Sequence, residues 1–158
     1  MWPASFWEKY EFFIRHSAGL GKSPTSSDPD IYDHRNIHCD VLVVGAGISG
    51  ILAAKNAAKN NFKTLLVEEK NELGGSTIFE NNEFNKIDNK TPSEWLKKEI
   101  EELKNIKNLE IKTRTSVAAY HQYNYLLARE NLTDHLEAKD KTNKIRQRLL
   151  KIRAKKVI

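Results

Sequence analysis

The feature that most constrains this chain is a change of texture between residues 40 and 60. Val41-Leu42-Val43-Val44 is an unbroken run of β-branched and apolar residues, the pattern of a strand buried on both faces of a parallel sheet. It stops at Gly45-Ala46-Gly47-Ile48-Ser49-Gly50, and Ile48 to Asn60 then carries Ile51, Leu52 and the small residues Ala53, Ala54, Ala57 and Ala58 at helical spacing. Thr64 to Val67 returns to strand character. A strand, a tight glycine turn, a close-packing helix and a second strand make a βαβ unit. The chain is therefore expected to build an α/β, Rossmann-like sheet with helices laid on it.

The turn carries chemistry as well as geometry. Gly45 permits the tight turn, Gly47 lets backbone approach a pyrophosphate, and Gly50 lets the helix lie close to the sheet. Amide hydrogens at the helix start, from Gly47, Ile48, Ser49 and Gly50, then face the phosphates with the helix dipole behind them. The second strand ends in Val67-Glu68-Glu69, where a carboxylate can accept from both hydroxyls of an adenosine ribose and repel a 2′-phosphate. Glu68 is the first choice and Glu69 the neighbour that could replace it; a solvated strand end is the alternative for both. Gly74-Gly75 follows, two residues without side chains that can pass close to a diphosphate, unless they only turn the chain. Together these residues point to the ADP part of FAD or NAD, and away from NADP. Such a cofactor brings its own redox chemistry, so a binding domain need contain no acid, base or nucleophile, and no catalytic residue is assigned.

The rest of the chain divides into an arm and a domain. Pro3 to Ala18 places Phe6, Tyr10, Phe13, Ile14 and Ser17 on one helical stripe, expected to pack on another domain, with Gly19 and Gly21 as stops. Gly21 to Asn36, rich in Ser, Pro and Asp, reads as a linker without regular structure. Residues 1–36 thus form a helical arm and linker, and 37–158 a dinucleotide-binding domain. Within it an asparagine-rich excursion runs to Asn89. Thr91-Pro92-Ser93-Glu94 is then a capping box opening a helix with Leu96, Ile100 and Leu103 on one face. Leu109 to Thr113 reads as a half-exposed strand, and Ser116–Tyr120 and Tyr123–Arg129 as the antiparallel strands of a meander. Asp134 to Asn143 is a polar loop.

Charge and composition narrow the class. The net charge is +5, with Lys139, Lys141, Lys144, Arg146, Arg148, Lys151, Arg153, Lys155 and Lys156 near the end. From Arg148 onward these alternate in part with Leu150, Ile152 and Ala154, which reads as a strand with one solvated or partner-facing side rather than a nucleic-acid surface. Cys39 is the single cysteine, so no internal disulfide forms and a reducing, cytoplasmic setting is expected. His16, His34, His38, His121 and His135 lack metal-ligand spacing. The longest nearly apolar stretch, Val41 to Ala54, is too short to span a bilayer.

Beyond the glycines, particular stretches carry a resemblance. Trp2-Pro3, Phe6-Trp7, Tyr10, Ile14-Arg15, Ala18-Gly19-Leu20-Gly21, Asp28-Pro29-Asp30 and Tyr32 lead into His38-Cys39-Asp40-Val41-Leu42-Val43-Val44-Gly45. Glu72-Leu73-Gly74-Gly75-Ser76, Arg114-Thr115, Tyr125, Arg129-Glu130, Thr133-Asp134-His135-Leu136 and Arg146-Gln147-Arg148-Leu149 follow. On these the chain resembles the alpha subunits of heterotetrameric sarcosine oxidase. The resemblance implies oxidative demethylation of sarcosine, with folate accepting the one-carbon unit and FAD, FMN and NAD shared among alpha, beta, gamma and delta subunits. It implies a disulfide-reductase-type domain holding NAD, with the glycine motif on Gly45, Gly47 and Gly50 and the ribose carboxylate on Glu68. It also implies a fragment, because alpha subunits are much longer and Lys151 to Ile158 resembles a strand that precedes a turn back to the cofactor. The alternatives are a related amine dehydrogenase or cyanide-forming flavoprotein subunit, and a non-catalytic interaction remnant.

Overall fold

A computed structural model describes residues 6–21, 25–79, 86–137, 140 and 144–158; Trp2, Pro3, Lys139, Lys141 and the middle of the asparagine-rich excursion lie outside the described residues. The first helix, α1 (Trp7–Ser17), is followed by Gly19 in the left-handed region at φ +67°. Of its expected stripe, Phe13 and Ile14 are 68% and 57% exposed and Phe6 and Tyr10 44% and 45%.

The linker reading is corrected for residues 31–36. β1 (Ile31–Val44) is 14 residues long and begins well before the apolar run. Its first half is mostly exposed on both sides, so hydrophobic patterning gives no sign of it. It forms because a parallel partner, β6 (Ile145–Val157), pairs with it from Ile31↔Ile145 to Leu42↔Val157. Long-range hydrogen bonding here overrides local composition.

Between them in sequence lie α2 (Ile48–Lys59), β2 (Thr64–Val67), α3 (Pro92–Lys104), β3 (Leu109–Lys112), β4 (Thr115–His121) and β5 (Tyr125–Asn131). The sheet order is β3-β2-β1-β6-β5-β4. The first four strands are parallel, and β6-β5-β4 form the antiparallel meander. This is the Rossmann-like arrangement expected from the βαβ pattern.

The buried strand residues serve opposite faces. Val41, Val43 and Leu66 pack with Ile51 and Ala54 of α2 and Trp95, Leu96 and Leu103 of α3. Leu42, Leu65 and Val67 pack with Leu126 and Ala128 of β5 and Leu150, Ile152 and Ala154 of β6. The sheet therefore curls, and its meander half covers the face opposite the helices. Cys39 lies in this second cluster, where burial pushes its thiol up to about 11.

β6 keeps the expected alternation, with Leu150 and Ile152 fully buried and Leu149, Arg153 and Lys155 exposed on the other side, and it is a central strand of the sheet. Three of its cations are paired within the chain. Arg148 reaches Asp33 (2.8 Å) and Glu130 (3.2 Å), Arg146 pairs with Asp30 and Asp134, and Lys155 reaches Asp40 (2.7 Å). Glu130 also takes Lys112 at 2.8 Å, tying β3 across the curl to β5.

α3 starts as the sequence requires. Thr91 accepts from the Glu94 N–H, the Glu94 carboxylate accepts from the Thr91 N–H, and Pro92 sits in the first turn. α3 is joined to α2 by Lys55, whose ammonium lies 2.6 Å from Glu99 and 2.8 Å from Glu102. Burial works against the charge on Lys55, but hydrogen bonds to Glu102 and Glu99 outweigh it and hold its pKa above the ordinary value.

Candidate functional site

The site grows out of the end of β1. Gly45 stands at φ +96°, a conformation disfavoured for any residue with a Cβ, and its N–H donates to the Val67 carbonyl at 2.8 Å. The turn then delivers Gly47 as the N-cap of α2, at φ −69° and ψ −178°. No side chain caps this helix, and its first turn holds no acidic residue. Its leading amide hydrogens and the positive end of its dipole are thus left for something outside the helix.

Three glycines in one turn have three different reasons. Gly45 is required by its backbone angle. Gly50 is required by packing, since a Cβ there would lie 1.9 Å from the Gly45 carbonyl oxygen. Gly47 is required by neither: its angles suit any residue, and a Cβ there would meet nothing within 4 Å. The chain's own structure does not account for the missing side chain at Gly47, and the space it leaves opens in front of the helix.

Glu68 follows β2 directly and lies beside this turn, 8% exposed. One carboxylate oxygen accepts from the Ala46 N–H at 2.6 Å and the other from the Lys70 N–H at 2.9 Å. The carboxylate is thereby held against the glycine turn by two backbone donors. Glu69 is exposed instead, on the rim of the neighbouring cleft.

Gly74 and Gly75 come back over the turn as a strap. The Gly74 N–H donates to the Ala46 carbonyl at 2.7 Å, and a Cβ on Gly75, at φ +58°, would come 3.2 Å from the Gly47 Cα. From behind, α3 presses on the strap: a Cβ on Gly74 would strike a Leu96 methyl at 2.5 Å. Gly45, Ala46, Gly47, Ile48, Ser49, Gly50, Glu68, Gly74 and Gly75 are thus brought together. Ile48 is half-buried against the α2–α3 core and Ser49 is exposed at the helix start.

A cleft of about 330 Å³ opens next to the turn, lined by Val44, Gly45, Val67, Glu68, Glu69, Thr115, Ser116 and Val117. The sequence reading missed two parts of this wall. Val44 is 44% exposed and faces the cleft rather than a core. Thr115 to Val117 arrive because the β3–β4 turn, with Arg114 at φ +50°, is strapped to the strand end: Arg114 N–H donates to Lys70 O, and Thr115 N–H to Glu68 O. No local signal marks Ser116 or Val117 as cleft residues.

This architecture is matched by the model of one protein family, FAD dependent oxidoreductase, over residues 40–139. The chain belongs to the FAD-dependent oxidoreductase family. Among curated members it is similar to the sarcosine oxidase alpha subunit of Rhizobium meliloti (strain 1021), 36% identical over 86% of this chain and 14% of that protein. The sarcosine oxidase alpha subunit of Corynebacterium sp. (strain U-96) is also 36% identical, over 89% of this chain and 14% of that protein. The chain thus spans about one seventh of the length of these relatives. In fold it is similar to L-proline dehydrogenase from P. horikoshii, with a TM-score of 0.59, 21% identity, and coverage of 86% of this chain and 24% of that one. Among the described residues, no helix is long and apolar enough to cross a membrane.

Proposed function

We propose that this family member binds the ADP half of a dinucleotide, FAD or NAD, at the turn Gly45–Gly50. The diphosphate lies against the uncapped start of α2, the ribose hydroxyls meet Glu68, and the adenosine enters the cleft beside Thr115 to Val117. The observation that carries the reading is Gly47, a glycine whose missing side chain serves nothing inside the molecule. Family membership favours FAD, whereas the resemblance to sarcosine oxidase alpha subunits favours NAD at this turn. A bound flavin or nicotinamide would supply the acceptor for a hydride; the residues of this chain bind and orient it.

The wider role we infer is that of a dinucleotide-binding portion of a sarcosine oxidase alpha subunit. It would contribute to oxidation of sarcosine to glycine with transfer of the one-carbon unit to tetrahydrofolate, in the cytoplasm. FAD and FMN elsewhere in the assembly, beta, gamma and delta subunits, and the remainder of alpha would complete the enzyme, and the isolated chain would be inactive. Similarity to the alpha subunits along most of the chain supports this.

Titration of the purified chain tests the binding claim. FAD or NAD at a hundredfold excess over Kd should add about 2.7 kcal/mol of stability, seen as a rise in Tm, with quenching of flavin fluorescence if the ligand is FAD. Absence of binding and of stabilisation with both ligands would overturn it.

A further inference from the structure

The strap formed by Gly74 and Gly75 is held by one hydrogen bond to Ala46 and by a shape fit against Leu96. Both glycines are in the left-handed region, so the strap's conformation is strained for any other residue, and its place over the turn depends on what backs it. That backing is α3. Leu96 and Glu99 lie one helical turn apart on the same face of α3, so whatever fixes Glu99 fixes the level and rotation of Leu96. Glu99 is 5% exposed, and the cation reaching it is Lys55 of α2, the helix that starts at the glycine turn.

We propose that the Lys55–Glu99–Glu102 bridge is a positioning device for the dinucleotide site. Lys55 sets α3 against α2 so that Leu96 presses the strap onto Ala46 and Gly47, and the strap then closes one side of the space into which the diphosphate fits. This rests on the dinucleotide reading above. The carboxylates that Lys55 reaches both lie on α3, so its influence on the strap passes through Glu99 and Leu96. Removing its charge leaves the Glu99 carboxylate buried without a counter-charge, which drives the two helices apart at that level.

The test compares wild type, Lys55→Met and Lys55→Arg in the full chain, at a temperature where all three are folded. Amide hydrogen exchange is measured without ligand, and FAD and NAD affinities are measured separately. The Gly74 amide should exchange about tenfold faster in K55M while the Leu42 and Leu66 amides stay protected. The dinucleotide Kd should rise about tenfold in K55M, and K55R, which can still span both carboxylates, should restore both values. Unchanged exchange at Gly74, equal acceleration across the sheet amides, or an unchanged Kd in a protein that binds would overturn the proposal. If wild type binds neither ligand, the dinucleotide reading fails, and Gly74 exchange still decides whether Lys55 anchors the strap. Should K55M not fold, Leu96→Val, which thins the contact with Gly74 and leaves the bridge intact, must give the same selective acceleration at Gly74, or the proposal falls.

Discussion

Gly47→Ala and Gly50→Ala add the same methyl group three residues apart and should fail in opposite ways. At Gly47 the backbone is already in a region open to alanine, and the added Cβ meets nothing within 4 Å. Alanine is a poorer N-cap than glycine by about 0.5–1 kcal/mol, but it restricts the unfolded chain by about 0.4–1 kcal/mol, so the two effects nearly cancel. The stability of G47A should stay within about 0.5 kcal/mol of wild type, a Tm change of about 2 °C or less. A dinucleotide using that space would instead meet an overpacked contact costing about 1–3 kcal/mol, which weakens binding about 5- to 150-fold. At Gly50 the added Cβ would sit 1.9 Å from a backbone carbonyl, so α2 has to back away from β1. About 3 kcal/mol of stability should go, lowering Tm by about 6–12 °C. Thermal melts and FAD or NAD titrations of both variants decide the matter. G47A melting alongside G50A, or G47A binding as tightly as wild type, would refute the claim that Gly47 is empty on a ligand's behalf.

Three further outcomes follow from the same structure. Glu68→Gln keeps one acceptor but sets an amide NH2 against a backbone N–H, so it should lose about 1.5–3 kcal/mol of stability as well as dinucleotide affinity, unlike G47A, as denaturant melts and titration can show. Glu130→Ala leaves Lys112 and Arg148, 14% and 11% exposed at their side chains, without their shared carboxylate, and should cost about 3 kcal/mol in urea unfolding. The hydrogen bond from Arg148, with further help from the His34 N–H, holds the Asp33 carboxyl below its ordinary 3.8. Its folded pKa being the lower one, its contribution is present above pH 3.8 and disappears as the pH falls through the depressed value; Asp33→Asn should flatten the acid limb of the stability curve there.

What the sequence made legible, and what it hid, separates by the range of the interaction. α3 could be read in advance because Thr91, Pro92 and Glu94 act on one another within a single turn. The burial of Leu42 and Leu66 was readable because both faces of β1 and β2 demand apolar residues. The first half of β1 was not, since Tyr32, His34 and Asn36 are exposed and nothing local asks for a strand; its partner is more than a hundred residues away in β6. The central place of β6 was hidden for the same reason, as was the pairing of Arg146, Arg148 and Lys155 with Asp30, Asp33 and Asp40. One long-range signal was available. Glu99 stands between Leu96 and Leu103 on the buried face of α3, and a carboxylate in such a row calls for a buried cation.

The site shows the same division at finer scale. The glycine spacing identifies the turn but cannot say which glycine serves the fold and which serves a ligand, because all three read alike in one dimension. In three dimensions the distinction is physical: Gly45 is spent on a backbone angle, Gly50 on a carbonyl, and Gly47 on neither, since its angles suit any residue and a Cβ there would meet nothing within 4 Å. Sequence favours Glu68 with Glu69 as its possible replacement, and the structure buries the first and exposes the second. The Ala46 and Lys70 N–H groups each give Glu68 a hydrogen bond that holds its carboxylate at the turn. The Glu68 carboxylate, held by the Ala46 and Lys70 N–H groups, places its negative charge beside the turn. That charge favours ribose hydroxyls as partners and opposes a 2′-phosphate, which is why discrimination against NADP should fall in E68Q together with affinity.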